Sequence, residues 1–370
     1  MAVSLQTGSE ARVRIAELTA TLEAALPLHR LRDAALLADI AARWCERQRY
    51  WHGPGHLLAM LRDLGSMPPG DERDVLLLTA AYHDAIYDPR ATDNEEASAA
   101  LLLSHATDPR CSVIARAAEL IAASKWSGVV EAPLARRFFE LDAYQLSDNC
   151  PLGERLAYER AIFREYQWVD WLTYRDKRRE FLRGWAQRFP QHQRGVAECL
   201  DLLDGLEPRI AVYPGSFSPF HLGHLSILRQ AEAIFDKVIV AVGVNRQKPA
   251  ALQSAKTRFA ELQSQLRFHE VATFEGLLTS FVSSIPVPVT IVRGVRDGTD
   301  LEAELRFVRF LNELRPHTSV VWISCEAELQ HLSSSAIREL ESIEPGAGKR
   351  YVPDTTSIYT LTPLPSVGTA

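Results

Sequence analysis

The hydrophobic periodicity of this chain changes once, near residue 207, and that change limits it to a fold of two unlike parts. From Ala11 to about Leu206, apolar residues recur at helical spacing, with no convincing period-2 run. Ile15/Leu18/Leu22, Leu36/Leu37/Ile40/Trp44, Val75/Leu76/Thr79/Tyr82 and Trp168/Trp171/Leu172 are examples. From Arg209 onward short β-rich runs take over: Ile210–Tyr213, Val238–Val242, Glu270–Phe274, Val289–Val292 and Val320–Ser324. Helical patterns separate them, which predicts repeated βα units and a parallel sheet. The break falls at Leu206-Glu-Pro208, where a helix ends before a proline. The reading is therefore an all-α domain over residues 1–207 followed by a Rossmann-like α/β domain over residues 208–370. A length of 370 residues suits two domains. The stretch from Thr362 to Ala370 reads as a loose tail.

Composition narrows the function classes. A net charge of -6 argues against a general nucleic-acid binder, whose footprint is basic. Hydrophobic content of 46% is ordinary for a soluble globular protein, and no apolar run approaches the roughly 20 residues that span a bilayer. The N-terminal residues lack a basic stretch followed by an apolar one, so no signal peptide is expected. Five scattered cysteines without a C-x-x-C fit a reducing cytoplasm and suggest neither a zinc site nor a thiol nucleophile. A cytoplasmic protein with no nucleic-acid or membrane partner is therefore expected.

The segment Tyr213-Pro-Gly-Ser-Phe-Ser-Pro-Phe-His-Leu-Gly-His224 carries the most chemistry. It joins a strand to an amphipathic helix through a Gly/Pro-rich turn, where helix N–H groups attract phosphate oxygens. Gly223 would let a phosphate come close to the main chain, and His221 and His224 would point at the same anion. His221 read alone is equally a hydrogen-bonded loop residue. Further charged segments follow later strands. They are Asn245-Arg-Gln-Lys248, Arg293-Gly-Val-Arg296-Asp-Gly-Thr-Asp300 with Glu302 and Glu304, and Leu332-Ser-Ser-Ser335. Strand ends of a βα sheet are where ligands bind, and phosphoryl-type transfer needs cations and N–H donors placed there. Taken singly, Lys248 reads as a solvated turn lysine and the three serines as a helix N-cap.

In order, these segments, with Phe235-Asp-Lys-Val-Ile-Val-Ala-Val and Tyr351-Val-Pro353, resemble bacterial phosphopantetheine adenylyltransferases over about residues 209–353. The resemblance implies transfer of AMP from ATP to 4′-phosphopantetheine with Mg2+, giving dephospho-CoA and pyrophosphate. It implies that His224 stabilises the transition state and that Lys248 and Arg296 hold phosphates. Ser333, Ser334 and Ser335 then sit on the β- and γ-phosphates, and Ser216 and Arg293 bind the pantetheine phosphate. Gly276-Leu277-Leu278 matches the pantetheine side, and Asp300 and Glu304 line the ATP site. Phe217, His221, Gly223 and Gly294 complete the expected binding set. The chain departs from the pattern at Ser218 (usually Asp), His221 (usually Thr or Ser), Ala303 (usually aromatic) and Ser254-Ala-Lys-Thr-Arg258, and its lysine loop is one residue short. These departures leave other acceptors open, namely nicotinamide mononucleotide or a sugar or polyol phosphate with CTP. They also leave open a nucleotide-binding sensor with little turnover, and a homo-oligomer.

The helical half carries a second constellation: His52-Gly-Pro-Gly-His56, His83-Asp84 and Asp142. If a helix begins before Pro54, the i,i+4 spacing puts His52 and His56 on one face. Two imidazoles and two carboxylates suit one divalent metal such as Mn2+, Fe2+, Zn2+ or Mg2+. With Arg49-Tyr-Trp-His, Tyr82-His-Asp-Ala-Ile-Tyr-Asp88, Asp93-Asn-Glu-Glu-Ala-Ser98, Phe139-Glu-Leu-Asp142 and Phe163-Arg-Glu-Tyr166, the order His, His-Asp, Asp resembles the HD superfamily of metal-dependent phosphohydrolases over about residues 10–190. The resemblance implies His56, His83, Asp84 and Asp142 as metal ligands and His52 as leaving-group acid. Ser124-Lys-Trp-Ser127 stands where these proteins often carry another histidine, so a single metal is expected rather than two. Asp93-Asn-Glu-Glu96 by itself reads as an N-cap with first-turn acids. A helical domain with buried, satisfied histidines is the plain alternative.

Overall fold

The computed structural model describes residues 8–125, 133–244 and 251–359. It forms two compact units, Gly8–Glu165 with Arg175–Leu206, and Tyr166–Tyr174 with the chain from Glu207 onward.

The first unit is helical among its described residues. Its elements are α1 (Gly8–Ala25), α2 (Leu36–Trp44), α3 (Pro54–Gly65), α4 (Asp71–Tyr82), α5 (Asn94–His105), α6 (Ser112–Ala123), α7 (Pro133–Asp142), α8 (Leu152–Glu165), α9 (Trp171–Arg188, in this unit from Arg175 onward) and α10 (Gln193–Gly205). Helix α2 buries Leu37, Ile40, Ala41 and Trp44, one stripe at helical spacing. Helix α4 is buried on every side from Val75 to Tyr82, which makes it the central helix of this unit. Its polar ends emerge from that apolar stem, so whatever follows Tyr82 starts at the core. Helix α3 begins at Pro54, with Gly53 as its N-cap. Proline is pre-set for the first helical position, where its missing N–H costs nothing. His52 therefore lies outside the helix, which corrects the expectation that His52 and His56 share a helical face. Asp93 stands at the N-cap of α5 without a capping bond, and Asn94 instead accepts from the Asp88 N–H at 3.0 Å.

The second unit is built on β1 (Ile210–Gly215), α11 (Leu222–Ile234), β2 (Lys237–Val244), α12 (Ala251–Gln265), β3 (Val271–Glu275), α13 (Leu278–Ser284), β4 (Val289–Val295), α14 (Gly298–Leu314), β5 (Val320–Ser324), α15 (Ser334–Ile343) and α16 (Thr355–Tyr359). The five strands pair in parallel in the order β3-β2-β1-β4-β5. Ile210 of β1 is flanked by Lys237 on one side and Val289 on the other. The central strands are almost wholly apolar because both faces are covered. Chain order reverses between β1 and β4, so the crevice at their carboxyl ends is the topological switch point where such sheets take ligands. Strand β4 runs on to Val295, so Arg293 and Gly294 lie within it rather than after it.

The segment Tyr166–Tyr174 belongs to this unit through a buried lysine. Lys237 is 1% exposed; its ammonium donates to the Gln167 carbonyl and to the Val169 carbonyl at 2.6 Å, and pairs with Glu270 at 2.8 Å. Burial pulls the Lys237 pKa down, against the pull of Glu270.

Candidate functional site

At the switch point the turn after β1 delivers two stacked imidazoles to the start of α11. The His221 and His224 rings have centroids 3.7 Å apart. His221 is the N-cap: its Nδ1 accepts from the Gly223 N–H at 3.2 Å, while its own N–H donates to His224 Nδ1 at 3.3 Å. This reciprocal capping spends one nitrogen of each ring. With Nδ1 as an acceptor, neutral His224 carries its proton on Nε2 and is a hydrogen-bond donor. Burial lowers its pKa well below the usual histidine value, with His221 and Arg296 adding to the shift. The same causes, burial and then Arg296, bring His221 down to about 4. Sequence reading aimed both imidazoles at one anion; the structure makes His221 the helix cap and leaves His224 Nε2–H without a partner among the described residues.

Aromatic rings hold His224 in place. Phe220 stacks on it at 5.6 Å and Phe217 meets it edge-on at 5.1 Å. Phe217, read as a binding residue, is 2% exposed and part of the core. Its φ of 46° is left-handed, a conformation that costs a side-chain-bearing residue about 1–2 kcal/mol and that burial of the ring offsets. Glycine at 223 avoids a tight approach, since a Cβ there would stand 3.1 Å from the His221 ring.

The two arginines of β4 and its following turn are each clamped by a carboxylate of α14. Arg293 donates Nε–H to Glu304 at 2.7 Å and Nη2–H at 2.5 Å, and Arg296 meets Asp300 at 2.7 and 3.0 Å. Sequence reading sent these four residues to ligands separately; the structure pairs them. A guanidinium has five N–H groups, so each arginine keeps donors for a phosphate while its fork is held rigid. Ser333 caps α15 by accepting from the Ala336 N–H at 3.1 Å, and its hydroxyl lies 3.1 Å from that of Ser335. Ser334 donates to the Pro219 carbonyl at 3.0 Å, which ties α15 to the turn carrying the histidines. Arg258 donates to the Ser216 carbonyl at 2.6 Å from α12. Gly276 has φ 82°, the left-handed turn that lets Leu277 cap α13 with its side chain exposed while Leu278 is buried. Gly294 packs against Ile227 of α11. Lys248 lies outside the described residues.

The helical unit gathers its four expected ligands. His56, His83 and Asp84 offer ligand atoms all within 4.8 Å of one another. Asp142 Oδ1 lies 3.1 Å from His56 Nε2 and 3.2 Å from His83 Nε2, and Asp84 lies 3.1 Å from His83 Nε2. His83 Nδ1 bonds the Ala80 carbonyl at 3.0 Å, so Nδ1 bears the proton and Nε2 is turned to the carboxylates. Nε2 is fully buried yet has no well-formed hydrogen bond. Burial opposes a charge on His83, but Asp84 and Asp142 outweigh it and raise its pKa well above the usual value. Burial likewise opposes ionisation of Asp84, yet His83 and His52 bring its pKa down to about 2. The cluster thus draws positive charge to one point, and an oriented imidazole nitrogen with two carboxylates is a donor set that fits a divalent cation. Trp44 and Phe138 flank His83 at 5.5 and 5.4 Å.

His52 reaches the cluster from the loop before α3. Its Nδ1 lies 2.6 Å from Glu165 Oε2, the last residue of α8. Glu165 is the partner of His52 that sequence reasoning missed; Phe163-Arg-Glu-Tyr166 stood out only as a flanking motif. Arg49 braces both segments, donating to the Asp84 carbonyl at 2.5 Å and to the His52 carbonyl at 3.3 Å.

Residues 212–340 match the cytidylyltransferase-like family. The chain is 36% identical over 135 residues to a phosphopantetheine adenylyltransferase of Mycoplasma capricolum, covering 36% of this chain and 96% of that protein. It is 38% identical over 138 residues to one of Chloroflexus aurantiacus, covering 36% of this chain and 84% of that protein. Among solved structures, a lipopolysaccharide core biosynthesis protein of Thermoplasma volcanium aligns with TM-score 0.25 and 22% identity, over 32% of this chain and 98% of that one.

Proposed function

The chain belongs to the phosphopantetheine adenylyltransferase family, and we propose that its sheet unit transfers AMP from ATP to 4′-phosphopantetheine. An oxygen of the acceptor phosphate attacks the α-phosphorus of ATP in line, the bond to the β-phosphate oxygen breaks, and pyrophosphate leaves. The observation that carries the reading is His224, held neutral with Nε2 as its donor nitrogen at the start of α11. A donor fixed in advance, in a buried site, stabilises charge that grows on the phosphorus oxygens without having to reorganise. Arg296, held by Asp300, lies near enough to lower the His224 pKa and adds positive charge there, and Arg293 is held rigid by Glu304. Lys248 is assigned to the phosphates by the sequence resemblance alone. Mg2+ arriving with ATP would neutralise phosphate charge.

The test is pyrophosphate release from ATP with 4′-phosphopantetheine, beside nicotinamide mononucleotide and, with CTP, sugar and polyol phosphates. Release with the first acceptor alone supports the reading, and release with another moves the acceptor. ATP binding by calorimetry with no release from any acceptor makes the unit a sensor.

A second activity is favoured by the buried His83 Nε2 that faces two carboxylates. We propose that the helical unit is an HD-type phosphohydrolase, with one divalent metal held by His56, His83, Asp84 and Asp142. Such a metal would acidify a water for attack on a phosphate ester. His52, beside the cluster, would protonate the leaving oxygen. Metal analysis of the wild type and of Asp84→Asn, after reconstitution with manganese, iron, zinc or magnesium, checks this. Equal, negligible metal in both reduces the unit to a structural or regulatory one.

A further inference from the structure

We propose that Glu165 is the positioning residue of the helical unit's histidine site, locking His52 in the tautomer that carries its proton on Nδ1 and keeps Nε2 for the leaving group. The chemical consequence rests on the hydrolase reading above; the lock itself rests on geometry alone. Glu165 is 1% exposed and accepts four short hydrogen bonds. Oε1 takes the Trp51 N–H at 2.6 Å and the His52 N–H at 2.8 Å. Oε2 takes His52 Nδ1 at 2.6 Å and the Tyr87 hydroxyl at 2.7 Å.

An ionised carboxylate is acceptor-only, so all four partners must donate. Nδ1 of His52 therefore keeps its proton in both charge states of the ring. The backbone bonds to Trp51 and His52 also fix the loop itself, and Tyr87 packs its ring against His52 at 4.6 Å. Three segments distant in sequence thus converge on one imidazole, while among the described residues none partners Nε2. In the charged ring, Nε2–H passes its proton to the leaving oxygen as the phosphorus–oxygen bond breaks. What remains is the neutral Nδ1–H ring, the form Glu165 already holds. A carboxylate that orients an imidazole in this way does not itself take up the proton.

Glu165→Gln separates positioning from mere support. The amide oxygen can still accept from the Trp51 and His52 N–H groups, but the amide nitrogen is a donor and forces His52 Nδ1 to accept. Nitrogen–proton NMR of the intact chain, with the His52 signal assigned by its loss in His52→Gln, reads the tautomer directly. The wild type and Tyr87→Phe are expected in the Nδ1–H form, Glu165→Asp likewise, and Glu165→Gln in the Nε2–H form. Manganese content is expected to be unchanged in Glu165→Gln. With aryl phosphates as probes on the manganese-loaded protein, Glu165→Gln should lose about 10²-fold in turnover of phenyl phosphate, within the usual range for a lost general acid. Loss for p-nitrophenyl phosphate, whose leaving group needs little protonation, should be several-fold smaller. An unchanged tautomer in Glu165→Gln overturns the lock, and equal losses across the aryl series overturn its role in leaving-group departure. Should the wild type turn over no aryl phosphate, the hydrolase reading falls, and the tautomer measurement still decides for or against the lock.

Discussion

His221 and His224 lie with ring centroids 3.7 Å apart among helix N–H groups and an arginine, whereas His56 and His83 lie 5.6 Å apart among carboxylates. The same side chain is thereby given opposite work. Burial and Arg296 drive His224 to the neutral form, a donor suited to an anion. Burial also opposes charge on His83, but Asp84 and Asp142 reverse the outcome and favour the charged ring. What an imidazole does is set by its neighbours. Spacing alone, i and i+3 for the first pair and a long separation for the second, could not say which neighbours those would be.

The comparison breaks most sharply at His224. Changing it to alanine should lower kcat for pyrophosphate release by about 10²–10³, with little change in KM, as loss of a transition-state donor does. Full activity in that variant would end the assigned role. At the other site, Asp84→Asn should weaken metal binding by at least the roughly 10–100-fold that losing an outer partner costs. Titration with manganese reads this, and unaltered affinity would remove Asp84 from the ligand set. A smaller effect is expected from Gly223→Ala. Its Cβ, 3.1 Å from the His221 ring, must displace the cap by a few tenths of an ångström. About tenfold in kcat is expected, since misplacement near 1 Å costs about 10²-fold.

The smallest effect concerns pH. His221 falls from the usual 6.5 to about 4 in the folded state, so below 6.5 the unfolded chain binds the extra proton. Stability is therefore full above 6.5 and is lost as pH falls toward 4. At pH 5.5 the His221 share is about 1 kcal/mol. Denaturant unfolding at pH 7 and 5.5 should show a smaller difference in His221→Thr than in the wild type. An equal difference would mean that His221 is not the buried neutral cap described.

Much of the sheet unit was legible in sequence because its signals are local. Five apolar runs predicted five strands, and the observed ones shift by only a residue or two at most ends. The strand–turn–helix setting of His224 was equally clear, since proline, glycine and an amphipathic run are short-range features. The Ser333 cap was foreseen as the plain reading of three serines before a helix. The His83-Asp84 pair at the end of a buried run was also visible, because an apolar stem with polar groups at its end needs no tertiary information.

Sequence by itself located the five strands of the sheet unit and the helix start that follows the first of them. Only the tertiary structure decided which charges meet. Arg293 and Glu304 stand 11 residues apart, on a strand and on the helix after it, and only the packing of α14 on β4 makes them a pair. Glu165 stands 113 residues from His52, and it is buried beside a ring it could not be matched to in one dimension. Backbone preference is set by near neighbours along the chain. Proton affinity and ligand geometry are set by neighbours in space, and folding alone supplies those.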